Sequence, residues 1–523
     1  MSILVIMGKN ASIRSVVVAL IVLLAPSQLS AQSKRPNIIF ILSDDHTYQA
    51  ISAYGNRYVQ TPNIDRIARE GVRFNHAMVT NSICGPSRAT LLTGKYSHKN
   101  GYPLNEKKFD NTQQTFPGIL QKSGYQTAWI GKMHLGTLPR GFDYFSVLPG
   151  QGKYYNPDFI STPNDTVRMN GYVTNVITDL SVSWLNGRDT SRPFMLIVGE
   201  KATHREWLPD LPDLGAYDSI QFPLPPTFTD SYKGRKAAMD QDMTIAGTMR
   251  LKEDLKVHLD YGKDAYGEYA RFTPEQHTPF YQYYEGKVSR EFDSLQLSGQ
   301  ALAEWKYQRY MRDYLSTARS LDRNIGRILH YLDSTGLAAN TVVIYASDQG
   351  FYMGEHGWFD KRFIYEESLH TPFVMRYPGV IRPGSVTAGF MLNIDWAPTL
   401  LDIADVHTPA DMQGVSFMPL VDGKADTSQW RKDVYYHYYE YPEPHRVPPH
   451  FGIRSERYKL IRFYGPADYW ELYDLDTDPQ ELHNIYNEAM QKKTIAALKK
   501  RLLQLTREYD DKEAQQLLQA ANK

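Results

Sequence analysis

The chain has 523 residues, of which 42% are hydrophobic and 22% charged, a composition typical of an ordinary globular protein. Lysine plus arginine number 58 and aspartate plus glutamate also number 58, so the composition gives no electrostatic reason to expect nucleic acid or an anionic membrane surface as a partner. The length exceeds that of one usual compact domain and predicts a large domain followed by a smaller one.

The first residues have the pattern of an export signal. Lys9 and Arg14 precede an apolar run from Val16 to Ala25, and a stretch ending in small residues follows up to Ala31. We therefore interpret residues 1–31 as a signal peptide and expect a periplasmic or extracellular protein. The apolar run is shorter than the roughly 20 residues that cross a bilayer, and no later segment is long and apolar enough, so no membrane span is predicted.

Short continuous apolar runs recur after this leader. Four of them are typical of strands buried on both faces of a parallel sheet: Asn37–Ser43, Tyr125–Ile130, Phe194–Val198 and Thr341–Ala346. Between them, apolar residues at helical spacing from Leu302 to Leu332 predict a long helix. Strands that alternate with helices predict an α/β domain with a mostly parallel sheet flanked by helices, which we assign to residues 32–425.

The character of the sequence changes near residue 426. Short, aromatic-rich strand candidates follow, among them Tyr458–Phe463 and Trp470–Asp474, and then a helical segment from about Ala489 to Tyr509. We predict that residues 426–523 form a smaller α+β domain, with an antiparallel sheet closed by a helix. Residues from about 205 to 300 are polar, aromatic and poorly periodic, and we interpret them as a long insertion that shapes a cleft.

Two acidic pairs directly follow predicted strands. Asp44-Asp45 comes after the first strand, and Asp348-Gln349 comes after the strand that begins at Thr341. The crevice of an open α/β sheet lies at the carboxyl ends of its strands, so these pairs are placed to converge. Three carboxylates and an amide oxygen form a hard, all-oxygen site that favours calcium over zinc or copper. Either pair taken alone is also an ordinary start of a turn.

Cys84 is the only cysteine, so it forms no disulfide within the chain. It begins the string Cys84-Gly-Pro-Ser-Arg88, and Pro86 and Gly94 mark the start and end of a short helix. The N-terminus of a helix stabilises negative charge, and Arg88 lies about one turn further along the same helix. From these residues alone, a buried structural cysteine is the alternative interpretation.

Four further polar residues lie beyond strand ends. Lys132 and His134 are two positions apart after the Tyr125–Ile130 strand, so their side chains share one face. His204 follows the Phe194–Val198 strand, and Lys361 lies in an aromatic-rich loop shortly after Asp348. Each one alone is an ordinary surface residue, but their common position favours a cleft.

The string Cys84-Gly-Pro-Ser-Arg88, followed by Leu91-Leu-Thr-Gly94, resembles the signature of the type I sulfatases. Further strings similar to this family span nearly the whole chain after the leader: Asp44-Asp45, Gly131–Gly136, Lys201–His204, Ser347–Gly350, Gly354–Lys361, Tyr458–Ile461 and Leu472–Leu475. The resemblance implies an alkaline-phosphatase-like fold. It also implies a sulfatase that becomes active when a maturation enzyme converts Cys84 to formylglycine.

The resemblance further implies a mechanism and a role for each candidate. Hydrated formylglycine at position 84 attacks the sulfur, forms a covalent sulfo-enzyme and then expels sulfate. The implied ligands of one Ca²⁺ ion are Asp44, Asp45, residue 84, Asp348 and Gln349. The implied catalytic roles are charge stabilisation by Arg88 and Lys132, deprotonation by His134, protonation of the leaving group by His204, and sulfate binding by Lys361.

Two other segments resemble the branch of the family that removes the 6-sulfate of N-acetylglucosamine: Lys201–Pro209 and Tyr435–Pro442. This implies a sulfated glycan substrate of the mucin or glycosaminoglycan type. We predict contacts with the sugar from four residues in or after the second segment: His437, Glu440, His445 and His450. A purely structural aromatic strand is the alternative for the tyrosines around them.

Two other classes of function compete with this interpretation. A phosphatase or phosphonate hydrolase can share the fold, since fold does not determine function. Phosphatases of that group favour serine or threonine as the nucleophile and histidine-rich zinc sites, and neither fits Cys84 and Asp348-Gln349. A non-catalytic glycan-binding protein would have no use for the full set of cationic residues.

Overall fold

A large, mostly parallel sheet occupies the centre of the protein, in a computed structural model that describes residues 35–259, 261, 267–423 and 428–520. Within those residues its strands are β1 Asn37–Ser43, β2 Val72–Phe74, β4 Gln126–Lys132, β5 Tyr144–Leu148, β6 Asp158–Ser161, β7 Asp165–Arg168, β8 Phe194–Gly199, β9 Thr341–Ser347, β10 Phe373–Arg376 and β11 Ser385–Thr387. A short separate pair is formed by β3 Ala77–Met78 and β12 Met391–Leu392. The strand order in the large sheet is β11-β2-β10-β9-β1-β8-β4-β5-β6-β7. The four strands predicted from apolar runs are its central strands β9, β1, β8 and β4, which pair in parallel.

Helices cover both faces of the sheet. In the described part of the chain the α-helices are α1 Pro62–Arg69, α2 Cys84–Thr93, α3 Ser97–Asn100, α4 Phe116–Lys122, α5 Val173–Gly187, α6 Lys236–Asp240, α7 Pro274–Tyr283, α8 Arg290–Leu295, α9 Gly299–Ser334, α10 Glu366–Leu369, α11 Trp396–Ile403, α12 Lys492–Glu508 and α13 Lys512–Ala520. The long helix predicted from Leu302 to Leu332 is α9. None of the helices in the described ranges is long and apolar enough to cross a membrane.

Strand β1 is buried on both of its faces. Ile39 and Ile41 join a core with α5 and α9, while Ile38, Phe40 and Leu42 join a second core with α2, α4 and α11. Alternate residues of a strand point to opposite faces, so the continuous apolar run is explained by a sheet between two helical layers. The predicted α/β class with a mostly parallel sheet is confirmed.

The C-terminal region forms a separate antiparallel sheet of four strands, which confirms that part of the predicted fold. Its order is β13-β14-β15-β16, with β13 Asp433–Tyr438, β14 His450–Ser455, β15 Tyr458–Phe463 and β16 Tyr469–Asp474. Leu502 and Leu505 of α12 join its core, together with Phe363 and Tyr365 from the loop that follows β9. The predicted leader, residues 1–31, lies outside the described residues. The boundary at residues 425 and 426 stays a prediction, since residues 424–427 also lie outside the described part.

Candidate active site

The two acidic pairs leave the sheet side by side. Strands β1 and β9 are parallel neighbours, and Ser43 is paired with Ser347 at their carboxyl ends. Asp44, Asp45 and Asp348 therefore lie together, and all three are buried. The sequence thus brings three carboxylates from distant segments to one end of the sheet, as expected for parallel strands.

Cationic side chains surround these carboxylates. Lys132, at the end of β4, forms a salt bridge with Asp44, and Lys361 Nζ lies 2.8 Å from Asp45 Oδ2. Arg88 Nε donates to Asp348 Oδ2 at 2.9 Å. Burial alone would raise the pKa of Asp44, but the positive charge of Lys132 and its neighbours outweighs this effect and holds that pKa well below its usual range.

The remaining two carboxylates respond differently. Burial raises the pKa of Asp348 to about 7, reinforced by the negative charge of Asp44 and opposed by Arg88. Burial likewise raises the pKa of Asp45 to about 6, against the charge of Lys361. The three carboxylates are thus paired with three cationic side chains, but burial still keeps the pKa values of Asp45 and Asp348 raised.

Cys84 is the first residue of α2, and Gly94 ends that helix with a left-handed φ of 63°. Its Sγ lies 3.8 Å from Gln349 Nε2. Burial, reinforced by the charge of Asp44, raises the pKa of the Cys84 thiol well above its usual range. A thiol that stays protonated is a poor nucleophile, so cysteine itself is unsuited to attack from this position.

The residue after Cys84 has no room for a side chain. A Cβ at Gly85 would lie 2.7 Å from the Tyr102 ring and 2.8 Å from Asn105 Oδ1. The N–H of Gly85 donates to the same Asn105 oxygen at 3.0 Å. Glycine at this position therefore lets the start of α2 approach the loop that carries Asn105.

Two histidines complete the group of candidates. Burial, reinforced by the charge of Lys132, lowers the pKa of His134 well below its usual range, and its Nδ1 is buried without a hydrogen-bond partner. Burial also lowers the pKa of His204 well below its usual range. Nδ1 of His204 lies 2.6 Å from the carbonyl oxygen of Arg205, so this nitrogen carries a proton and Nε2 is directed at Asp45 Oδ2, 3.9 Å away.

The cluster offers several potential ligands for a metal ion. Asp44, Asp45, Cys84 and His204 each place one potential ligand atom within 4.8 Å of the others. Asp44 Oδ1 and Gln349 Oε1 are buried and have no hydrogen-bond partner. Gln349 Nε2 faces Asp45 Oδ1, and an exchange of the two amide atoms would direct the amide oxygen there instead. Unpartnered buried oxygens among crowded carboxylates fit a hard divalent cation.

A cavity of about 490 Å³ opens above this group. It is lined by residues that include Asp45, Cys84, His204 and Lys361. Sequence reasoning missed several other lining residues: Asn105, Gln151, Lys153, Arg205, Glu268, Asp360 and Arg362. Asp360 and Arg362 flank the predicted Lys361 with left-handed φ angles of 79° and 96°. Adjacency to Lys361 was the available signal for these two residues.

The four candidate sugar-binding residues separate into two pairs. Glu440 and His445 line the cavity, where Glu440 forms a salt bridge with Arg362 and His445 Nε2 lies 3.1 Å from Asp360 Oδ2. His437 and His450 are not among the lining residues.

The rings of His437 and His450 are buried within the antiparallel sheet, and protein groups occupy both nitrogens of each. Those of His437 contact Asp511 at 2.6 Å and Tyr464 at 2.8 Å. Nε2 of His450 accepts from the Ile364 N–H at 3.1 Å, and its Nδ1 lies 2.8 Å from the Pro448 carbonyl oxygen. These contacts give both histidines a structural position, so neither is carried into the assignment of sugar contacts.

Fold and site together define a hydrolase with a cation-lined pocket over a buried carboxylate cluster. The family model for sulfatases matches residues 36–406, and a model for the C-terminal region of N-sulphoglucosamine sulphohydrolase matches residues 354–508. The protein therefore belongs to the sulfatase family and is a sulfatase, as the resemblance implied.

Comparison with named proteins shows which kind of sulfatase the chain is similar to. The chain is 46% identical over 491 residues to the N-acetylglucosamine-6-O-sulfatase of Bacteroides thetaiotaomicron, covering 92% of this chain and 88% of that protein. A solved structure in complex with its substrate, D-glucosamine-2-N,6-O-disulfate, superimposes with a TM-score of 0.89 at 46% identity, covering 92% of this chain and 99% of the other. The N-acetylglucosamine-6-sulfatase of Capra hircus is 27% identical over 435 residues, which is 78% of this chain and 67% of that protein.

Proposed function

We propose that this sulfatase removes the 6-O-sulfate of N-acetylglucosamine from a sulfated glycan of the glycosaminoglycan or mucin type. The observation that carries the proposal is the position of Cys84, which lines the cavity beside Asp44 and Asp45, the carboxylates that Lys132 and Lys361 pair with. The names of the relatives supply the sugar and the position of the sulfate.

Two groups complete the proposed site. Cys84 would be the residue that a maturation enzyme converts to formylglycine, and the hydrate of that group would supply one hydroxyl for attack on sulfur and a second for release of sulfate. Asp44, Asp45, residue 84, Asp348 and Gln349 would hold one Ca²⁺ ion, which would supply positive charge at that point. The unpartnered oxygens of Asp44 and Gln349 support this ligand set.

The chain's own cations bind the sulfate. Lys132 and Lys361 are buried ammonium groups held by Asp44 and Asp45, and Lys361 lines the cavity. Arg88 is held by Asp348 and by the carbonyl oxygen of Lys132, at 2.9 Å and 2.8 Å. Fixed positive charges in a site that excludes water stabilise the extra negative charge of the transition state.

The two histidines transfer protons. Nε2 of His204 faces the site while its Nδ1–H is engaged by the Arg205 carbonyl oxygen, so the ring is oriented to give a proton from Nε2 to the departing sugar oxygen. The negative charge of a bound sulfate ester favours the protonated ring that this role needs. His134 is neutral and has a free buried nitrogen, and it accepts the proton that residue 84 releases.

We assign sugar selection to the cavity wall formed by Glu440 and His445. Glu440 and His445 present carboxylate and imidazole groups there, beside Asp360 and Arg362. These groups are able to exchange hydrogen bonds with the ring hydroxyls of a pyranose. Export through the leader of residues 1–31 would bring the enzyme to a periplasmic or extracellular glycan.

The test is sulfate release from a panel of monosaccharides that carry sulfate at different positions. N-acetylglucosamine 6-sulfate is expected to be turned over faster than its 3-sulfate, galactose 6-sulfate and a phosphonate monoester. Preference for another sulfated sugar would overturn the substrate and leave the reaction class intact. Preference for the phosphonate would overturn both.

A further inference from the structure

The segment that carries His204 has little regular structure of its own. Residues 201–210 follow β8 as turns, with no strand or helix among them. A catalytic acid nevertheless needs a fixed position, since a displacement of about 1 Å at the reacting atoms can cost about 100-fold in rate. The contacts that hold this segment therefore bear on catalysis.

A buried lysine in the long insertion makes two of these contacts. Lys256 is fully buried, and its Nζ donates to the carbonyl oxygens of Glu206 at 2.6 Å and Trp207 at 3.1 Å. It also donates to the Asp254 carbonyl oxygen at 2.9 Å and lies 3.2 Å from Asp313 Oδ2 on α9. One ammonium group thus joins the His204 segment, the insertion and the long helix.

The same short stretch of the insertion holds the neighbour of His204. Both oxygens of Asp254 accept hydrogen bonds from the Arg205 guanidinium, each at 2.7 Å. The carbonyl oxygen of Arg205 is the group that fixes the His204 ring through Nδ1. On the opposite side, the Tyr154 hydroxyl donates to the carbonyl oxygen of His204 at 2.5 Å.

We propose that Lys256 is a positioning residue for His204: by binding the carbonyl oxygens of Glu206 and Trp207 it holds the catalytic acid against the leaving group. This inference rests on the acid role proposed for His204. Lys256 lies behind the segment and is not among the residues that line the cavity, so it touches neither sulfate nor sugar. Its effect on the reaction therefore passes through the His204 segment.

The chain offers a matched control. Lys306 is also buried, and its Nζ binds two main-chain carbonyl oxygens of the insertion, those of Ala246 at 3.0 Å and Met249 at 2.7 Å. Neither carbonyl belongs to the His204 segment. Lys306→Met therefore removes the same kind of contact from the same insertion without releasing the catalytic acid.

The experiment is a double-mutant cycle with sulfate release from N-acetylglucosamine 6-sulfate as the readout, or from the panel sugar that the enzyme turns over best. Lys256→Met is expected to lower kcat by about 10- to 100-fold with little change in KM. In the His204→Ala background, Lys256→Met is expected to lower kcat by less than about 3-fold, because the effects of substituting residues that act as a unit are not additive. Lys306→Met is expected to have little effect in either background.

The outcomes distinguish the positioning role of Lys256 from the acid role of His204. An equal loss from Lys256→Met with and without His204 would overturn the positioning role. A His204→Ala variant with wild-type kcat would overturn the acid role on which the inference rests. Lys256→Arg keeps the charge and several donors, so it can be used for the cycle if the methionine variant does not fold, with a smaller expected loss.

Discussion

The main-chain N–H of Asp45 donates a hydrogen bond to Oδ1 of Asp348 at 3.2 Å, although 303 residues separate them along the chain. The pairing of β1 with β9 produces this contact, because both strands end at the same edge of the sheet. The resulting crowding of buried carboxylates costs electrostatic free energy, and the salt bridges of Lys132, Lys361 and Arg88 oppose this cost.

Removal of a bound divalent cation with a chelator is expected to lower both the rate of sulfate release and the melting temperature. A ligand that binds only the folded state adds about 2.7 kcal/mol when present at 100 times its Kd, and here it also relieves carboxylate repulsion. Differential scanning fluorimetry with and without added Ca²⁺ measures the effect. Asp348→Asn is the control, since its weakened site should respond little. Metal-free wild-type protein with an unchanged melting temperature would contradict the prediction.

Replacement of Cys84 by alanine is expected to reduce kcat by on the order of 10³-fold or more, as for loss of other nucleophiles, with a nearly unchanged melting temperature when both proteins are compared metal-free. The reason is that the side chain contributes the nucleophile, whereas its one hydrogen-bond contact, with Gln349 at 3.8 Å, is long. Mass spectrometry of the peptide that contains residue 84 gives a second measurement. Active enzyme with an intact thiol at this position would refute the nucleophile assignment.

The central strands and the carboxylate cluster were predictable because their signals are local. Continuous apolar runs identify doubly buried strands, and the residues directly after parallel strands share one edge of the sheet. The short helix that starts at Cys84 was predictable for a similar reason, since Pro86 and Gly94 mark its two ends.

The sugar-binding candidates were harder to separate because strand boundaries decide their positions. His437 lies within β13 and His450 begins β14, where both are packed, whereas Glu440 and His445 lie in the connecting loop that reaches the cavity. No periodicity in the sequence distinguishes these pairs. Lys256 was missed because its partners in the His204 segment are main-chain carbonyl oxygens, which every residue type carries and no sequence pattern marks.

Glu440→Gln is expected to weaken substrate binding, whereas His450→Ala is expected to lower stability. Glu440 is a cavity-lining partner of Arg362, so its change should raise KM for N-acetylglucosamine 6-sulfate by about 10-fold, roughly 1.4 kcal/mol of binding, and leave the melting temperature similar. His450→Ala removes a buried ring and leaves the Ile364 N–H without its acceptor, at a cost of about 2 to 4 kcal/mol in unfolding free energy.

Kinetics and urea unfolding on the same two variants distinguish these effects. The folded fraction of His450→Ala should keep the wild-type KM. A raised KM in His450→Ala together with an unchanged KM in Glu440→Gln would reverse our assignment of sugar contacts.

The stability of the contact between α13 and the antiparallel sheet is expected to depend on pH through Asp511. Asp511 is buried, its Oδ2 accepts from Tyr435 at 2.8 Å and contacts His437, and its Oδ1 accepts from the Ala514 N–H at the start of α13. Burial raises the pKa of Asp511, but the hydrogen bond and charge of His437 outweigh it and hold that pKa below its usual range. A folded-state pKa below the unfolded value of about 3.9 stabilises the protein above that pH, and the contribution is lost as the pH falls further.

Asp511→Asn keeps an acceptor for the helix but loses the charge. It is therefore expected to lower the unfolding free energy by about 2 kcal/mol near pH 7, and the difference from wild type should shrink below about pH 4. Urea unfolding of both proteins near pH 7 and below about pH 4 measures this difference in unfolding free energy. Asp510→Asn is the matched control, because that neighbouring carboxylate pairs with lysines at the surface and its loss should matter little at either pH. A gap between Asp511→Asn and wild type that stays constant from neutral to acid pH would show that the carboxylate charge contributes nothing to holding α13 on the sheet.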